Sequence, residues 1–385
     1  MLTTKKKREK VGKRKIKICF ISSAAYPLFN PKCHATFGGA EVDLYLLSKE
    51  LAKDKNFDVS FIVGDFGQKD KEIKKGVKIF KNYKFNENKI YQMSKLLFKI
   101  KEIDANIYFQ ESASGSTGII SYFCKKKNKI FLYRTASDID CNGTFIKKNK
   151  IEGALYRYGI KNSSKIITQN EKNKQQLFNS LSLDSEVVRN ISVKLKLINH
   201  QKGYILWVGR SEKLKNPELF LELAKNFPKE KFVMIAPKTI FSNKHEIEIK
   251  AKKIKNMRFI HYVPFNLINK YFENAKILIN TSDYEGFPNT FVQATSNSVP
   301  IISLNVNPDN FLSTYNCGFC AKGDFELMKK QIKRLLKDKK LYEKMSKNAY
   351  RYAKNNHDVK RIISEYKKII KELVNKKLLK KNENP

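Results

Sequence analysis

Short runs of β-branched and apolar residues alternate with segments of helical periodicity along almost the whole chain, and this alternation limits the fold more than any other feature. Such a pattern is typical of parallel βαβ units, in which each strand is followed by a crossover helix. Because the pattern restarts near residue 204, the sequence predicts an α/β protein with two doubly wound sheets in tandem. The predicted strands span residues 17–22, 59–63, 77–80, 107–110, 130–133 and 165–168, and then residues 204–208, 232–235, 259–262, 277–280 and 299–303.

The 385 residues are enough for two domains, each with its own core. A polar segment at residues 195–203 separates the two sets of strands, so we expect Rossmann-like domains at residues 15–200 and 201–360. Basic tails at residues 1–14 and 361–385 flank them. After residue 325 the pattern is purely helical, and in two-domain α/β folds such a tail can cross back to brace the first domain; the sequence alone leaves its course open.

Basic residues are in large excess, with 77 lysines and arginines against 37 aspartates and glutamates. Only ten of the 77 are arginines, whereas base readout favours the planar guanidinium, and the middle of the chain shows no basic stripe. Solvated lysine faces are therefore the simplest explanation. A basic nucleic-acid-binding protein is the alternative from a different functional class, although no readable nucleic-acid motif is present, so we expect no specific nucleic-acid partner.

The two ends of the chain are where the positive charge is concentrated. Residues 5–17 hold nine basic residues and one glutamate, and residues 361–385 hold eight basic and three acidic residues. These ends predict contact with an anionic membrane surface. No run of about 18 uncharged apolar residues is present, so the sequence predicts no membrane-spanning helix. Residues 18–25 weakly resemble a signal peptide, but they suit a first buried strand better.

The six cysteines show no disulfide framework for a chain of this size, which favours a reducing compartment and a cytoplasmic location. Cys317 and Cys320 have the spacing of a redox or half-zinc motif. No second Cys or His pair follows at metal-finger distance, so we do not expect this pair to be functional.

The first glycine pair of interest is Gly38-Gly39, which follows a long loop at residues 23–37 and opens a predicted helix at residues 42–51. Ligands of open parallel sheets bind beyond the carboxyl ends of the strands, and glycines there let backbone amides approach a phosphate at the positive end of a helix. The pair is neither a dinucleotide fingerprint nor a Walker loop, and by itself it is also typical of a helix cap.

A second anion site is indicated by Arg210 and Lys215, which bracket the loop after the first strand of the second half. Pro217 suits the first position of the helix that follows. An arginine can form forked hydrogen bonds and a lysine supplies a point charge, which together match what a diphosphate needs.

Residues 280–294 are the most informative segment. A strand ends, Glu285 and Gly286 form a turn, and Pro288 is predicted to start a helix. The amides of this turn face the same crevice as the Arg210 loop, and the Glu285 carboxylate can accept hydrogen bonds from sugar hydroxyls. Gln293 follows Glu285 by eight residues, which predicts a position two turns into the helix on the cleft side.

Taken together, these motifs resemble glycosyltransferase family 4 of the GT-B fold, over most of residues 15–360 and most strongly over residues 203–323. The resemblance implies a retaining enzyme that moves a sugar from a nucleotide-sugar donor, UDP- or GDP-linked, to a hydroxyl of a glycan or lipid-linked acceptor in surface polysaccharide or glycolipid synthesis. It implies that Arg210 and Lys215 hold the donor diphosphate and that Glu285, as the catalytic residue, contacts the donor sugar. The other donor-binding residues that it implies are Gly38, Gly39, Gly286, Phe287, Pro288, Asn289, Thr290 and Gln293.

One position departs from the family pattern, because a second glutamate usually stands where this chain has Gln293. An amide can still bond to ribose hydroxyls, but a neutral hydrogen bond contributes about 0.5 to 1.5 kcal/mol against about 1.5 to 3 for a charged one. The resemblance also leaves open a sugar-nucleotide epimerase on the same fold.

The resemblance implies no metal and no cofactor, since cationic side chains and helix ends can neutralise a leaving diphosphate. Asp138 and Asp140 match an Asp-x-Asp metal signature, but their place after a strand suits a loop or a helix cap better. On the acceptor side we expect Arg134 and Asp138 at a strand end facing the cleft, together with His34 from the long first loop.

Overall fold

The structure is a computed structural model that describes residues 15–192, 194–198, 203–237 and 244–383. The predicted tail at residues 1–14 and the predicted boundary between residues 200 and 201 lie outside the described residues. Two sheets, each covered by helices on both faces, form two lobes.

The first lobe is built on a sheet whose strands are β1 (Ile16–Ile21), β2 (Phe57–Val63), β3 (Lys71–Lys74), β4 (Val77–Lys81), β5 (Ile107–Glu111), β6 (Ile130–Arg134), β7 (Lys165–Thr168) and β8 (Glu186–Val187). Their order in the described sheet is β3-β4-β2-β1-β5-β6-β7-β8. Only the pairing of β3 with β4 is antiparallel among these strands. The central strand β1 buries consecutive residues, from Ile18 to Ile21, as expected where helices cover both faces of a parallel sheet.

Helices alternate with these strands, as the sequence pattern predicts. They are α1 (Tyr26–Phe29), α2 (Gly39–Leu51), α3 (Lys89–Ile103), α4 (Ser116–Lys126), α5 (Asp138–Cys141), α6 (Thr144–Lys148), α7 (Lys150–Lys161) and α8 (Glu171–Leu181), with a short 3₁₀ turn at Ser23–Ala25.

The second lobe repeats the same architecture. Its strands are β9 (Tyr204–Val208), β10 (Phe232–Ile235), β11 (Met257–Ile260), β12 (Ala275–Asn280), β13 (Ile301–Ser303) and β14 (Gly318–Cys320). They are parallel and lie in the order β11-β10-β9-β12-β13-β14. Its helices are α9 (Pro217–Asn226), α10 (Lys244–Lys252), α11 (Phe265–Glu273), α12 (Asn289–Ser296), α13 (Phe311–Thr314), α14 (Phe325–Lys337) and α15 (Lys339–Asn356), with 3₁₀ turns at Lys213–Lys215 and Pro308–Asn310.

The last helix, α16 (Val359–Glu383), returns to the first lobe. Ile362, Tyr366, Ile369 and Ile370 are buried in the core that contains the strands of the first sheet, whereas Tyr352 of α15 packs in the second lobe. The chain therefore crosses between the lobes a second time at the junction of α15 and α16, and the helical tail does brace the first lobe. None of the described helices combines the length and apolar composition that a bilayer span requires.

The two-sheet α/β prediction is confirmed, and the sequence missed only the short strands β3, β8 and β14 among those described. β14 contains Cys320 of the Cys-x-x-Cys motif. Its thiol and that of Cys317 contact different backbone carbonyls, those of Leu304 and Phe311. Burial raises the pKa of Cys317 to about 12, so this thiol remains protonated at neutral pH.

Candidate active site

A cleft of about 570 Å³ lies between the two lobes, at the carboxyl ends of both sheets. The first lobe contributes the start of α2 and the residues that follow β5, β6 and β7. The second lobe contributes the loop after β9 and the segment from Tyr284 to Gln293 that follows β12. Ligand sites of open α/β sheets lie in this position, so the cleft is the candidate active site.

Glu285 is a carboxylate of the cleft that is held by three neighbouring side chains. Its Oε2 lies 2.6 Å from Nζ of Lys215, and its Oε1 accepts hydrogen bonds from Oγ of Ser282 at 2.7 Å and Nδ2 of Asn280 at 2.9 Å. Burial pushes the pKa of Glu285 upward, but the charge of Lys215 and the hydrogen bonds to Lys215, Ser282 and Asn280 outweigh it and hold the pKa below its ordinary value. The side chain is therefore a fixed, ionised acceptor at neutral pH.

The loop after β9 is fastened to the loop after β12. Thr281 donates from Oγ1 to the carbonyl of Lys215 at 2.6 Å, and Nδ2 of Asn216 donates to Oδ1 of Asp283 at 2.6 Å. Asn216 has a left-handed backbone with φ of 44°, a conformation that asparagine tolerates well, and it leads directly into Pro217. Pro217 is the first residue of α9, as predicted.

Arg210 stands at the open end of the same loop. Its side chain is 45% exposed, and its Nε lies 3.3 Å from Oε1 of Glu212. An exposed ion pair of this kind is weak, so the guanidinium can turn to an anionic ligand at little cost. The structure thus brings Arg210, Lys215 and Glu285 to one wall of the cleft.

The turn after Glu285 is pressed against the first lobe. A Cβ on Gly286 would lie 2.7 Å from the carbonyl oxygen of Ala136, which explains glycine at this position. The amide of Phe287 donates to Oε1 of Gln169 at 2.9 Å, so this N–H already has a partner in the first lobe. α12 begins at Asn289, one residue later than predicted, so Pro288 occupies the N-cap position and is not the first helical residue.

The first residues of α12 face the cleft. Asn289 and Thr290 line it, and N–H groups in the first turn of a helix have no carbonyl partner within that helix. Nδ2 of Asn289 also donates to the carbonyl of Gly39 at 3.0 Å, which links the two lobes. Gln293 lines the same cleft, as predicted, but it lies one turn into the helix instead of two because α12 begins at Asn289.

The glycine pair lies across the cleft at the start of α2. Gly38 is the N-cap and Gly39 is the first helical residue. Oε2 of Glu41 accepts from the amide of Gly38 at 2.7 Å, and its Oε1 accepts from Oγ of Ser22 at 2.9 Å. The glycines therefore stand at the start of a helix, as a cap would, and they also line the cleft.

None of the three acceptor-side candidates is among the residues that line the cleft. Arg134 is 1% exposed and forms ion pairs below the edge of the sheet, with Asp43 at 2.8 Å and Glu111 at 2.6 Å. The expectation that it faces the cleft is wrong, because the last residue of β6 points its side chain into the lobe.

Asp138 and His34 are not among the residues that line the cleft, although each is next to residues that do. Asp138 is buried and bonds to Nζ of Lys172 at 2.7 Å and to Nδ2 of Asn173 at 2.8 Å, which anchors α5 to α8. His34 is exposed, and its ring lies against Tyr262 with centroids 5.0 Å apart.

Asp140 forms hydrogen bonds with the two residues just before its own helix, α5. It accepts from the amide of Ala136 at 2.7 Å and from Oγ of Ser137 at 3.0 Å. The described residues contain no group of three or more His, Cys, Asp or Glu side chains arranged to hold a metal ion.

Other first-lobe residues line the cleft where the acceptor side was expected. Ser112 follows β5 with φ of 75°, a strained value for a serine, and Ser137 and Gln169 follow β6 and β7. The sequence did carry a signal for them, because each is a polar residue within three positions of the end of a strand.

Comparison with known proteins gives a family match for less than half of the chain and a fold match for nearly all of it. Residues 189–352 match the family model described as "Glycosyl transferases group 1". No curated protein sequence matches the chain.

Several solved structures are similar to this chain. Sucrose-phosphate synthase from Thermosynechococcus elongatus aligns with a TM-score of 0.77 at 14% identity, over 94% of this chain and 99% of that chain. WaaG, described as a glycosyltransferase involved in lipopolysaccharide biosynthesis, aligns with a TM-score of 0.68 at 14% identity, over 92% of this chain and 99% of that chain. A variant of S. aureus TarM in complex with Fondaparinux, alpha-GlcNAc-glycerol and UDP gives 0.59 at 14% identity, over 72% of this chain and 58% of that chain.

These alignments establish the fold. The chain has the GT-B fold, in which two Rossmann-like lobes face each other across a cleft. At such low identity the similarity shows the architecture alone, and the chemistry has to be argued from the residues of the cleft.

Proposed function

We propose that this protein is a glycosyltransferase that moves a sugar from a nucleotide-sugar donor to an acceptor hydroxyl. The observation that carries the proposal is the ion pair between Lys215 and Glu285 at the wall of the cleft, beside the exposed Arg210. Cations for a diphosphate and an ionised carboxylate for sugar hydroxyls stand together there. The family match over residues 189–352, which includes all three, supports the same reading.

In this proposal the second lobe holds the donor. Arg210 and Lys215 neutralise the diphosphate, and the first turn of α12 adds N–H groups and the positive end of the helix dipole. Charge builds up on the diphosphate as the bond to the sugar breaks, so cations already in position lower the barrier without a metal ion. Glu285 accepts hydrogen bonds from donor-sugar hydroxyls and thereby fixes the anomeric carbon.

Several finer features are part of the proposal. We propose a family 4 enzyme that retains the configuration of the transferred sugar. The donor is UDP- or GDP-linked, with Gln293 bonding to the ribose. UDP in the similar TarM complex supports a uridine donor, and WaaG, with its role in lipopolysaccharide synthesis, supports a surface glycan or lipid-linked acceptor. A cytoplasmic location suits the six unpaired cysteines.

Nucleotide binding is the first test. A ligand at 100 times its dissociation constant adds about 2.7 kcal/mol to the unfolding free energy, so thermal-shift assays with UDP, GDP, ADP and CMP should identify the base. Arg210→Ala should abolish the shift from the preferred nucleotide, whereas Arg157→Ala, at a cation of α7 outside the lining of the cleft, should keep it. No response to any of the four would count against the donor site.

Product analysis is the second test. Glu285→Gln keeps the size of the side chain but weakens its acceptors, so sugar transfer should be lost while the fold and nucleotide binding remain. Mass spectrometry of the products separates transfer from isomerisation, because an epimerase leaves the mass of the sugar nucleotide unchanged. Full turnover by the Glu285→Gln variant would contradict the role given to this carboxylate.

We further propose that the basic ends hold the enzyme at an anionic membrane surface. The inner face of α16 is buried in the first lobe, and Arg361, Lys368, Lys371 and Lys376 are exposed on the docked helix. Co-sedimentation with vesicles containing phosphatidylglycerol should fall when residues 1–14 are removed. Equal sedimentation of full-length and shortened protein would remove this part of the proposal.

A further inference from the structure

Asn190 lies just after β8, is 2% exposed, and bonds to both lobes through one side-chain amide. Its Nδ2 contacts Oδ2 of Asp43 at 3.2 Å in the first lobe. The same nitrogen contacts the carbonyl of Phe287 at 3.2 Å and Oδ1 of Asn289 at 2.9 Å in the second lobe. Its Oδ1 accepts from Nη2 of Arg134 at 2.8 Å. Three acceptors therefore share the two N–H groups of this amide.

The backbone at Asn190 also joins the two places where the chain crosses between lobes. Nδ1 of His357, between α15 and α16, lies 2.8 Å from the carbonyl of Asn190, and the amide of Ser192 donates to the carbonyl of His357 at 2.8 Å. Burial lowers the pKa of His357 to about 3, so its ring is neutral and donates through Nδ1. The side chain of Asn190 thus leaves from the point where both crossings meet.

The contacts of Asn190 also determine the position of the donor turn. Oδ1 of Asn289 accepts a hydrogen bond from Nδ2 of Asn190. This orients the Asn289 amide so that its Nδ2 donates to the carbonyl of Gly39 across the cleft. The carbonyl of Phe287 is held by Asn190 while its amide is held by Gln169. Both peptide groups around Phe287 are therefore fixed by groups outside the second lobe.

We propose that Asn190 is a positioning residue that couples closure of the two lobes to the placement of the donor turn, residues 285–290. The proposal rests on the function proposed above. An amide is required because the residue must donate to Asp43, to Phe287 and to Asn289 while it accepts from Arg134. A leucine side chain would offer neither a donor nor an acceptor, and an ionised carboxylate could only accept.

The surroundings of Asn190 make a charge change there informative. Asp43, Glu111 and Arg134 face it from α2, β5 and β6, and Tyr366 faces the same space from α16, together with Arg189 from its own segment. Two carboxylates already share one buried guanidinium. A carboxyl group at position 190 would be the third beside this one guanidinium, and it would face three acceptors.

Asn190→Asp is the main test, because it changes the donor amide with almost no change in size. Amide hydrogen exchange in residues 285–290 and 36–43 should become at least tenfold faster, since the two lobes lose their shared donor. Asn256→Asp is the matched control. Nδ2 of Asn256 also serves three acceptors, the carbonyls of Ala224, Phe227 and Glu230, but all of them lie in the second lobe. In the Asn256→Asp variant, the amide exchange rates of residues 285–290 and 36–43 should stay within twofold of wild type.

A reciprocal exchange separates positioning from stability. Asp43→Asn combined with Asn190→Asp restores one donor and the original net charge, so the unfolding midpoint should recover. The carbonyl of Phe287 still lacks a donor, so fast exchange in residues 285–290 should persist. If the double variant restores slow exchange there, or if Asn190→Asp leaves it slow, the positioning role is refuted. Asn190→Ser, which removes the amide without adding charge, serves the same purpose if Asn190→Asp does not fold.

Titration with UDP gives the functional arm. Asn190→Asp should weaken the affinity for UDP at least tenfold, and Asn256→Asp should weaken it less than twofold. Equal loss of affinity in both variants would overturn the proposal. If neither UDP nor GDP binds the wild type, the donor assignment fails, and the exchange experiment still decides whether Asn190 couples the lobes.

Discussion

Nζ of Lys215 lies 2.6 Å from Oε2 of Glu285, which joins the loop after β9 to the loop after β12. The pair keeps the carboxylate ionised and directs its other oxygen to Ser282 and Asn280. A cation that holds a carboxylate in this way can turn partly toward a phosphate when a donor enters. In the proposed function, the pair would therefore link recognition of the diphosphate to the group that contacts the sugar.

Lys215→Met should reduce sugar transfer about 100-fold, because it removes a cation that stabilises the leaving diphosphate. It should also raise the pKa of Glu285, since the charge of Lys215 is the main influence that lowers it. The acid limb of the pH–rate profile should then move to higher pH. Lys213→Met, two residues away on the exposed side of the same turn, is the control and should leave the profile unchanged.

Gly286→Ala should reduce transfer at least tenfold. The new Cβ would meet the carbonyl oxygen of Ala136 at 2.7 Å, and overpacking of this kind costs about 1 to 3 kcal/mol unless the lobes move apart. Small-angle scattering should show a larger radius of gyration. Gly115→Ala is the control, because its Cβ would first meet Cγ of the flexible Glu152 side chain, at 3.3 Å. It should change neither the transfer rate nor the radius of gyration.

Ile370→Ala should destabilise the protein by about 2 to 5 kcal/mol, the usual cost of deleting a large buried aliphatic group. Ile370 is fully buried among strands of the first sheet, although it lies in the last helix. Leu378→Ala, in the same helix but 56% exposed, should stay within about 0.5 kcal/mol of wild type. Urea unfolding measures both, and equal losses would contradict the docking of α16.

Asp140 should make stability fall as the pH rises. Burial raises the pKa of Asp140 from 3.8 to about 6, so between these values the folded state holds a proton that the unfolded state has released. The linked loss is about 3 kcal/mol, complete above pH 6 and absent below about pH 4. Asp140→Asn should remove this slope from the pH dependence of the unfolding free energy. A slope that persists in the variant would contradict the raised pKa.

The two sheets could be predicted from the sequence because buried parallel strands are continuous apolar runs. β3, with the sequence Lys-Glu-Ile-Lys, has no such run, and β8 consists of only two residues. The second-lobe side of the cleft was also predictable, since Arg210, Lys215 and Glu285 follow strands directly and their chemistry is distinctive.

The first-lobe side of the cleft was harder to predict, because it depends on the direction in which each side chain points at the end of a strand. Arg134 and Ser112 both lie where a strand ends, but one points into the lobe and the other lines the cleft. Sequence spacing does not separate these cases when the backbone turns sharply, as it does at Ser112. Asn190 carries no local signal at all, because the partners of its side chain lie from 56 to 147 residues away in the first and second lobes.

The return of α16 to the first lobe has a consequence for synthesis of the chain. Ile362, Tyr366 and Ile370 complete the core of the lobe that is translated first. Until the ribosome has released these residues, the apolar surface that they cover stays open to solvent and to other nascent chains. We therefore expect the first lobe to finish folding only after α16 has left the ribosome, and cotranslational chaperones to bind it longer than the second lobe.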